Sequence, residues 1–322
     1  MKAIVLTKYG GPDQLQLKEV EKPSPADDEV LVKVYAVSIN DWDWGLIQGD
    51  FVNRMLNGFS KPRRQILGSD IAGRIEAIGK NVTRFRPGDE VFGDLSGSWG
   101  GFAEYVCAKE GALERKPNGM TFEQAASIPQ AAMLAVQGLI DVGRVQPGQK
   151  ILLNGAGGGV GTFALQILKP FGVEVTVVDT AEKLEMLRSL GAAAVIDYRH
   201  QDFTKTGKRY DLILDTKTNR SVLRYLRALN PGGKYVTVGG SIPRLLQAFL
   251  WAPLISLCTK KKISIVALKT NKDLDYMREL FESGQVRPVI EGPYRLEDVP
   301  EAFRVFGRGE HKGKMVITVA RA

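Results

Sequence analysis

The sequence predicts an α/β protein of two lobes, one an antiparallel, barrel-like β lobe and the other a doubly wound parallel sheet flanked by helices. Three observations predict it. The chain has 322 residues, more than one hydrophobic core ordinarily holds. Its N-terminal third is rich in alternating and β-branched apolar positions set between Gly and Pro. After Thr121 the texture changes to strand and helix in alternation.

In the β-rich lobe the strand-like segments are 2–7, 29–38, 71–78 and 102–107. The second lobe reads as a strand at 151–153, a helix from Val160, a strand at 173–178 and a helix from Ala181. Strands follow at 194–196, 212–214 and 235–238, and segment 263–268 closes the sheet edge. Extended apolar patterns return over 287–322, so the C-terminus is expected to rejoin the first lobe. The expected division is therefore 1–120 and 271–322 for the β lobe and 121–270 for the parallel sheet.

Composition excludes several classes. With 44% hydrophobic and 25% charged residues the chain is neither disordered nor collagen-like. The longest apolar run, 245–258, is broken by Gln247 and Pro253 and falls short of the ~20 residues of a spanning helix, so no membrane is expected as a partner. The N-terminus returns to charge at Lys8, too soon for the apolar core of an export signal, and a cytoplasmic location is expected. Two cysteines (Cys107, Cys258) and two histidines (His200, His311), all far apart, allow neither a disulfide framework nor a structural zinc site. Both cysteines read as small buried apolar residues. The net charge of +8 is compatible with anionic ligands, but the basic clusters Arg63-Arg64 and Lys260-Lys261-Lys262 lack the aromatic interleaving of a strand-binding surface, so nucleic acid is not expected.

The stretch from Lys150 to Gly161 carries the clearest chemistry: an apolar strand, then Gly155-Ala156-Gly157-Gly158-Gly159-Val160-Gly161, then the helical pattern from Phe163. Glycines let the backbone approach a pyrophosphate, and the free N–H groups and positive end of the following helix hold its charge. An acid, Asp179, ends the next strand, as a dinucleotide site requires. A flexible glycine hairpin would need neither the strand nor the helix.

These motifs, together with Gly88-Asp89-Glu90-Val91-Phe92-Gly93 and Gly101-Phe102-Ala103-Glu104-Tyr105-Val106, stand in the order and spacing of the medium-chain dehydrogenase/reductases. The chain resembles their zinc-independent, quinone-oxidoreductase-like branch over essentially its whole length. The resemblance implies a GroES-like β-barrel domain built from both chain ends, a Rossmann domain between them, and an active site in the cleft where the nicotinamide lies. Zinc-bearing relatives carry a cysteine where this chain has Asn40, and Gly-His-Glu where it has Gly68-Ser69-Asp70. No metal is therefore expected. Without a Lewis acid, hydride delivery to an already polarised acceptor, a quinone or an α,β-unsaturated carbonyl, is the expected chemistry.

The candidate catalytic residues are Asn40, Asp43 and Trp44. Asn40 matches an asparagine that zinc-independent members keep near the nicotinamide, and it has two readings, a contact to the substrate carbonyl and a loop cap. Trp42 and Trp44 read either as an aromatic wall for a flat acceptor or as core filler. Asp43 matches a family aspartate; it reads as a proton relay or, preferably, as an exposed loop acid of ordinary pKa. A tyrosine common in relatives is replaced here by Gly45, which leaves protonation to water. The spacing of Tyr105 and Lys109 resembles a Tyr-x-x-x-Lys acid pair, but in a strand those two residues share no helical face.

For the cofactor, Asp179 alone says NADH by accepting from the ribose 2′-hydroxyl. Thr180, Lys183 and Tyr198 stand where NADPH-using relatives surround a 2′-phosphate. Unit charges at about 4 Å interact by about 4 kcal/mol at an effective dielectric of 20, so Asp179 and Lys183 nearly offset each other. NADP(H) is favoured and NAD(H) stays open. Gly239, Gly240 and Ser241 are expected beneath the nicotinamide, and the following apolar stretch 245–258 reads as pocket lining, a subunit contact or a core helix. Relatives commonly pair the edge strand at 263–268 across a two-fold axis, which implies a homodimer. Two other functions remain open: a non-catalytic NADPH-binding protein of structural or nucleic-acid-associated role, and a metal-free alcohol dehydrogenase.

Overall fold

The computed structural model describes residues 1–320, and in it the chain forms two units, one of residues 1–130, 270–282 and 290 onward, the other of 131–269 and 283–289. In chain order the elements are β1 (Lys2–Leu6), β2 (Leu15–Glu19), β3 (Glu29–Ser38), α1 (Asp41–Gln48), α2 (Phe51–Asn57), β4 (Asp70–Ile78), β5 (Glu90–Asp94), β6 (Tyr105–Lys109), β7 (Glu114–Arg115) and α3 (Phe122–Ala126). There follow α4 (Pro129–Val136), β8 (Lys150–Asn154), α5 (Gly159–Ile167), β9 (Glu174–Asp179), α6 (Ala181–Ser189), β10 (Ala194–Asp197), β11 (Tyr210–Asp215), α7 (Val222–Arg227), β12 (Leu229–Thr237), α8 (Ile242–Cys258) and β13 (Lys262–Ile265). The chain ends with α9 (Leu274–Glu282), β14 (Ile290–Arg295), α10 (Val299–Arg308) and β15 (Lys314–Thr318).

The first unit is built on a sheet of order β14-β15-β3-β4-β5-β7, with β6 also on β3. It is antiparallel apart from the β14–β15 pair. Strand β3 is its spine, since it pairs with β4, β6 and β15. Its Val30, Val32 and Val34 are fully buried in a core shared with Ile71, Phe102 and Phe303. β1 and β2 form a ladder of their own. Strand pairing for segment 102–107 begins later than its apolar pattern, at Tyr105, because Phe102 donates its N–H to the Leu67 carbonyl and Ala103 bridges Ala3.

The second unit holds a fully parallel sheet of order β10-β9-β8-β11-β12-β13. Numbered within the unit this is 3-2-1-4-5-6, the order of doubly wound dinucleotide-binding sheets, which reverses direction between β8 and β11. The middles of its central strands are apolar because helices cover both faces; Leu152, Ile213 and Val236 are fully buried.

Three expectations are corrected here. The first unit extends past residue 120 to Gln130, because Phe122 stacks on Tyr35 at 4.4 Å and Ala125 and Ala126 are buried against the barrel. Within the C-terminal return, residues 283–289 belong to the second unit, where the Arg287 backbone bonds both ends of the Gln166 amide at 2.9 and 3.0 Å. Stretch 245–258 is helical but is no core helix: only Ala248 and Ile255 of α8 are buried.

Candidate functional site

The glycine loop leaves the C-terminal end of β8 at the point where the sheet order reverses. Gly155 turns the chain with φ +77°, a conformation a side chain would strain. A Cβ at Gly161 would fall 2.3 Å from the Ala156 Cα, so only glycine lets α5 pack this closely on the strand. No side chain caps α5, and its first backbone bond runs from Thr162 N–H to the Gly158 carbonyl at 3.0 Å. The N–H groups of Gly159, Val160 and Gly161 thus precede the helical ladder. Gly155 to Gly157 are buried, whereas Gly158, Gly159 and Val160 are partly open. These residues fit a pyrophosphate: anionic oxygens would complete the uncapped helix end.

Asp179 ends β9 beside this loop. Its carboxylate accepts from Gly157 N–H at 2.7 Å and from Thr180 N–H at 2.9 Å, and lies 3.6 Å from Lys183 Nζ one helical turn on. Asp179, Thr180 and Lys183 are all buried. Burial holds the Lys183 ammonium below its ordinary pKa, with Asp179 opposing and Lys217 adding to the shift. The charges that the sequence sets against each other are therefore paired. Tyr198 is 47% exposed just past β10, its N–H bonded to the Asp179 carbonyl at 3.2 Å. Exposed Lys217, beside Gly155, is a cation that sequence reasoning missed; no motif marks it.

A second carboxylate, Asp215, ties together the ends of three strands. It accepts from Asn154 Nδ2 at 2.7 Å, Tyr235 OH at 2.8 Å, and the N–H groups of Lys217 and Thr218 at 2.9 and 3.1 Å. Past β12, the Gly239 carbonyl accepts from the hydroxyls of Thr218 and Thr237. Gly240 follows at φ +123°, where a Cβ would meet the Lys217 carbonyl at 2.5 Å, and Ser241 precedes α8 without a side-chain bond to its first turn. The Gly239-Gly240-Ser241 turn thus lies against the loop after β11.

In the first unit, Asn40 precedes α1 and is buried. Its Nδ2 donates to Ser69 Oγ at 3.1 Å and its Oδ1 accepts from the Lys314 ammonium. Lys314 also lies 3.3 Å from Asp70, which further accepts from Gln130 N–H at 3.1 Å. Burial pushes the Asp70 carboxyl up to about 6, against the pull of Lys314. Sequence reasoning missed Lys314, because nothing in its local pattern points to a residue so far back in the chain.

One candidate is corrected. Asp43 is not an exposed acid: it is fully buried, accepts from Asn40 N–H and Gly68 N–H at 3.0 Å each, and is pushed up to about 7 by burial. Trp44 is half-buried and has packing partners within its own unit. It stacks on Phe303 at 6.5 Å and packs over Gly307, where a Cβ would fall 2.3 Å from its ring. Trp42, by contrast, is 45% exposed and meets Trp99 edge-on at 5.9 Å. The cysteines are not buried either: Cys107 is half-buried, its thiol pushed up to about 11 by burial, and Cys258 is exposed. Tyr105 and Lys109 lie in β6, which leaves their spacing without a helical face.

Residues 26–118 match the family described as Alcohol dehydrogenase GroES-like domain, and residues 190–317 that described as Zinc-binding dehydrogenase. The chain is 31% identical to the quinone oxidoreductase of Homo sapiens, over 98% of this chain and 97% of that one. It is 30% identical to the NADPH-dependent alkenal/one oxidoreductase of Arabidopsis thaliana, over 98% of this chain and 79% of that one. The chain belongs to the medium-chain dehydrogenase/reductase family. Among solved structures it superposes on the quinone oxidoreductase from Coxiella burnetii with a TM-score of 0.88, at 26% identity over 99% of both chains.

For a medium-chain dehydrogenase/reductase, the polar cluster of the first unit is notable in its donor set. The two positions at which zinc-bearing members supply cysteine and histidine hold Asn40 and Ser69, which bond each other. An ammonium, Lys314, stands against the neighbouring carboxylate. Among the described residues, no three of His, Cys, Asp or Glu are grouped to hold a metal ion.

Proposed function

We propose that the protein is an NAD(P)H-dependent oxidoreductase that reduces quinones or α,β-unsaturated carbonyls without zinc. The observation that carries this is the uncapped N-terminus of α5, opening from a glycine loop at the reversal point of the parallel sheet. Bound there, the dinucleotide supplies the hydride. The N–H groups of Gly159, Val160 and Gly161 hold its pyrophosphate, and Gly239, Gly240 and Ser241 support its far end. The named activities of the relatives supply the acceptor class.

In the first unit, Lys314 and Ser69 fix the Asn40 amide, so Asn40 acts by shaping the loop before α1. A divalent metal here would meet the Lys314 cation and would lack the cysteine and histidine ligands. Asp43 is sealed from solvent, so the proton that completes the reduction comes from water. NADPH is preferred over NADH, because Lys183 and two N–H groups neutralise Asp179, while Lys217 adds positive charge at the loop. The protein works as a homodimer through β13, whose outer edge has no partner strand among the described residues. Among those residues no helix is long and apolar enough to cross a membrane.

The decisive experiment follows cofactor oxidation with a panel of quinones and enals. Turnover with NADPH supports the reading. Cofactor affinity with no turnover on any acceptor would make the protein a binder, and reduction of NADP⁺ by simple alcohols would make it a dehydrogenase of alcohols. Light scattering at micromolar concentration tests the dimer, and a tenfold preference for NADH in kcat/KM would reverse the cofactor assignment.

A further inference from the structure

Apart from Arg244, Gln247 and Ser256, helix α8 is apolar all round, yet the protein covers only one side of it. Ala248 and Ile255 join the core of the second unit, with Ala252 packed against it. On the opposite face Leu246, Phe249, Leu250, Pro253, Leu254 and Leu257 follow at i, i+3, i+4, i+7, i+8 and i+11, a continuous outward stripe. Their exposure is large: 68% for Phe249 and Leu250, 57% for Leu254 and 86% for Leu257. Trp251 is 44% exposed beside them, and Leu223 of the neighbouring α7 is 51% exposed. Helices apolar all round are ordinarily buried in a core or in lipid.

Along the chain on either side of α8 the charge has one sign, and an acid that reaches it from outside this stretch is Asp202, 3.6 Å from Arg220 and near Arg224. From Thr216 to Lys272 the chain contains no Asp or Glu and eleven Lys or Arg. Lys260 and Lys262 are exposed just past the C-terminal end of α8, and Arg224 and Arg227 are exposed on α7. Lys261 is turned inward to the Leu226 carbonyl at 2.6 Å, and Arg244 bonds Gln247 at 3.1 Å.

We propose that α8 docks the protein on an anionic lipid bilayer, lying in the plane of the headgroups with the Leu246–Leu257 stripe inserted and the flanking lysines and arginines on lipid phosphates. The helix has 17 residues, about 25 Å at 1.5 Å per residue, and it lies on the bilayer rather than crossing it. No helix among the described residues is long and apolar enough to cross a membrane, and docking in the plane of the headgroups needs none. Two copies joined face to face through α8 would bring their arginines and lysines together, with no acid in this stretch to pair them. A nucleic acid would satisfy the charges but leave the apolar stripe in water.

The test is sedimentation of the full protein with phosphatidylglycerol/phosphatidylcholine vesicles and with phosphatidylcholine vesicles, alongside light scattering without lipid. Wild type is expected to bind the anionic vesicles about tenfold more strongly, with a blue shift in Trp emission that Trp251→Phe removes. Leu250→Glu/Leu254→Glu should lose about tenfold in binding at unchanged circular dichroism and unchanged mass. Lys260→Gln/Lys262→Gln, a gentler change, should reduce the preference for anionic over neutral vesicles. Equal partition into both vesicles, or none into either, overturns the proposal. So does a fall in oligomer mass in Leu250→Glu/Leu254→Glu with vesicle binding unchanged, which would assign the face to a second copy.

Discussion

Lys314 and Asp70 form an ion pair at 3.3 Å between side chains that are 6% and 0% exposed. Lys314 also holds Asn40, so one cation ties the last described strand to the loop before α1 and to the start of β4. Removing one member of such a pair strands a buried charge, at a cost of about 3–5 kcal/mol. Lys314→Met should lower stability by about that much in urea denaturation. Lys314→Met/Asp70→Asn should recover most of it, and a double variant no more stable than the single one would deny the pairing.

Asp43 gives a pH dependence of definite sign. Its carboxyl is raised from 3.8 to about 7 by burial, against two N–H donors that favour the charged form. The folded state therefore holds this proton more tightly than the unfolded one between about pH 4 and 7. Stability from Asp43 is present below that window and lost as pH rises through it, by up to about 1.4 kcal/mol per pH unit. Asp43→Asn should start about 1–2 kcal/mol lower, because one N–H loses its acceptor, and show a flatter decline from pH 5 to 8. Urea midpoints at each pH read this directly.

The two tryptophans before Gly45 should separate in their effects. Trp44 packs on Phe303 and Phe306, so Trp44→Ala leaves a hole costing about 3 kcal/mol. Trp42→Ala, at an exposed ring, should cost well under half as much. If Trp44→Ala keeps its thermal midpoint but loses turnover, the ring touches substrate after all.

The glycine loop, the strands around it and the return of the C-terminus to the β lobe were legible because each leaves a local pattern: a turn that only glycine allows, period-2 apolar runs, helices with a buried stripe. The burial of Asp43, the choice between wall and core for Trp44, and the part played by Lys314 were not. Each owes its state to residues remote in sequence, Gly68 for Asp43, Phe303 for Trp44 and Asn40 for Lys314. The uncovered face of α8 was invisible for the converse reason, since an apolar run looks the same whether the fold covers it or leaves it out.

Gly161 is where the loop tolerates least. An added Cβ would sit 2.3–2.5 Å from the Ala156 backbone, which has no flexible end to move aside. Gly161→Ala should push α5 away from β8 and weaken NADPH binding about tenfold or more, measured by quenching of protein fluorescence. Gly207→Ala has open space around it at φ +76°, so its cost is backbone strain alone. It should lower stability by about 1–2 kcal/mol and leave cofactor affinity intact.

Asp179 tests whether cofactor choice is a matter of charge or of loop geometry. Were its carboxylate aimed at the ribose, Asp179→Gly would simply favour NADPH. In the structure that carboxylate holds Gly157 N–H at 2.7 Å and Thr180 N–H at 2.9 Å while neutralising buried Lys183. Deleting it frees the loop that carries the pyrophosphate, whichever dinucleotide is bound. Asp179→Gly should therefore raise KM about tenfold for NADPH and NADH alike and leave their ratio within about threefold of wild type. Asp179→Asn keeps one acceptor for the loop and should recover part of the loss for both. A selective gain for NADPH with its KM unchanged would place the carboxylate against the ribose and make Lys183 its competitor instead of its partner.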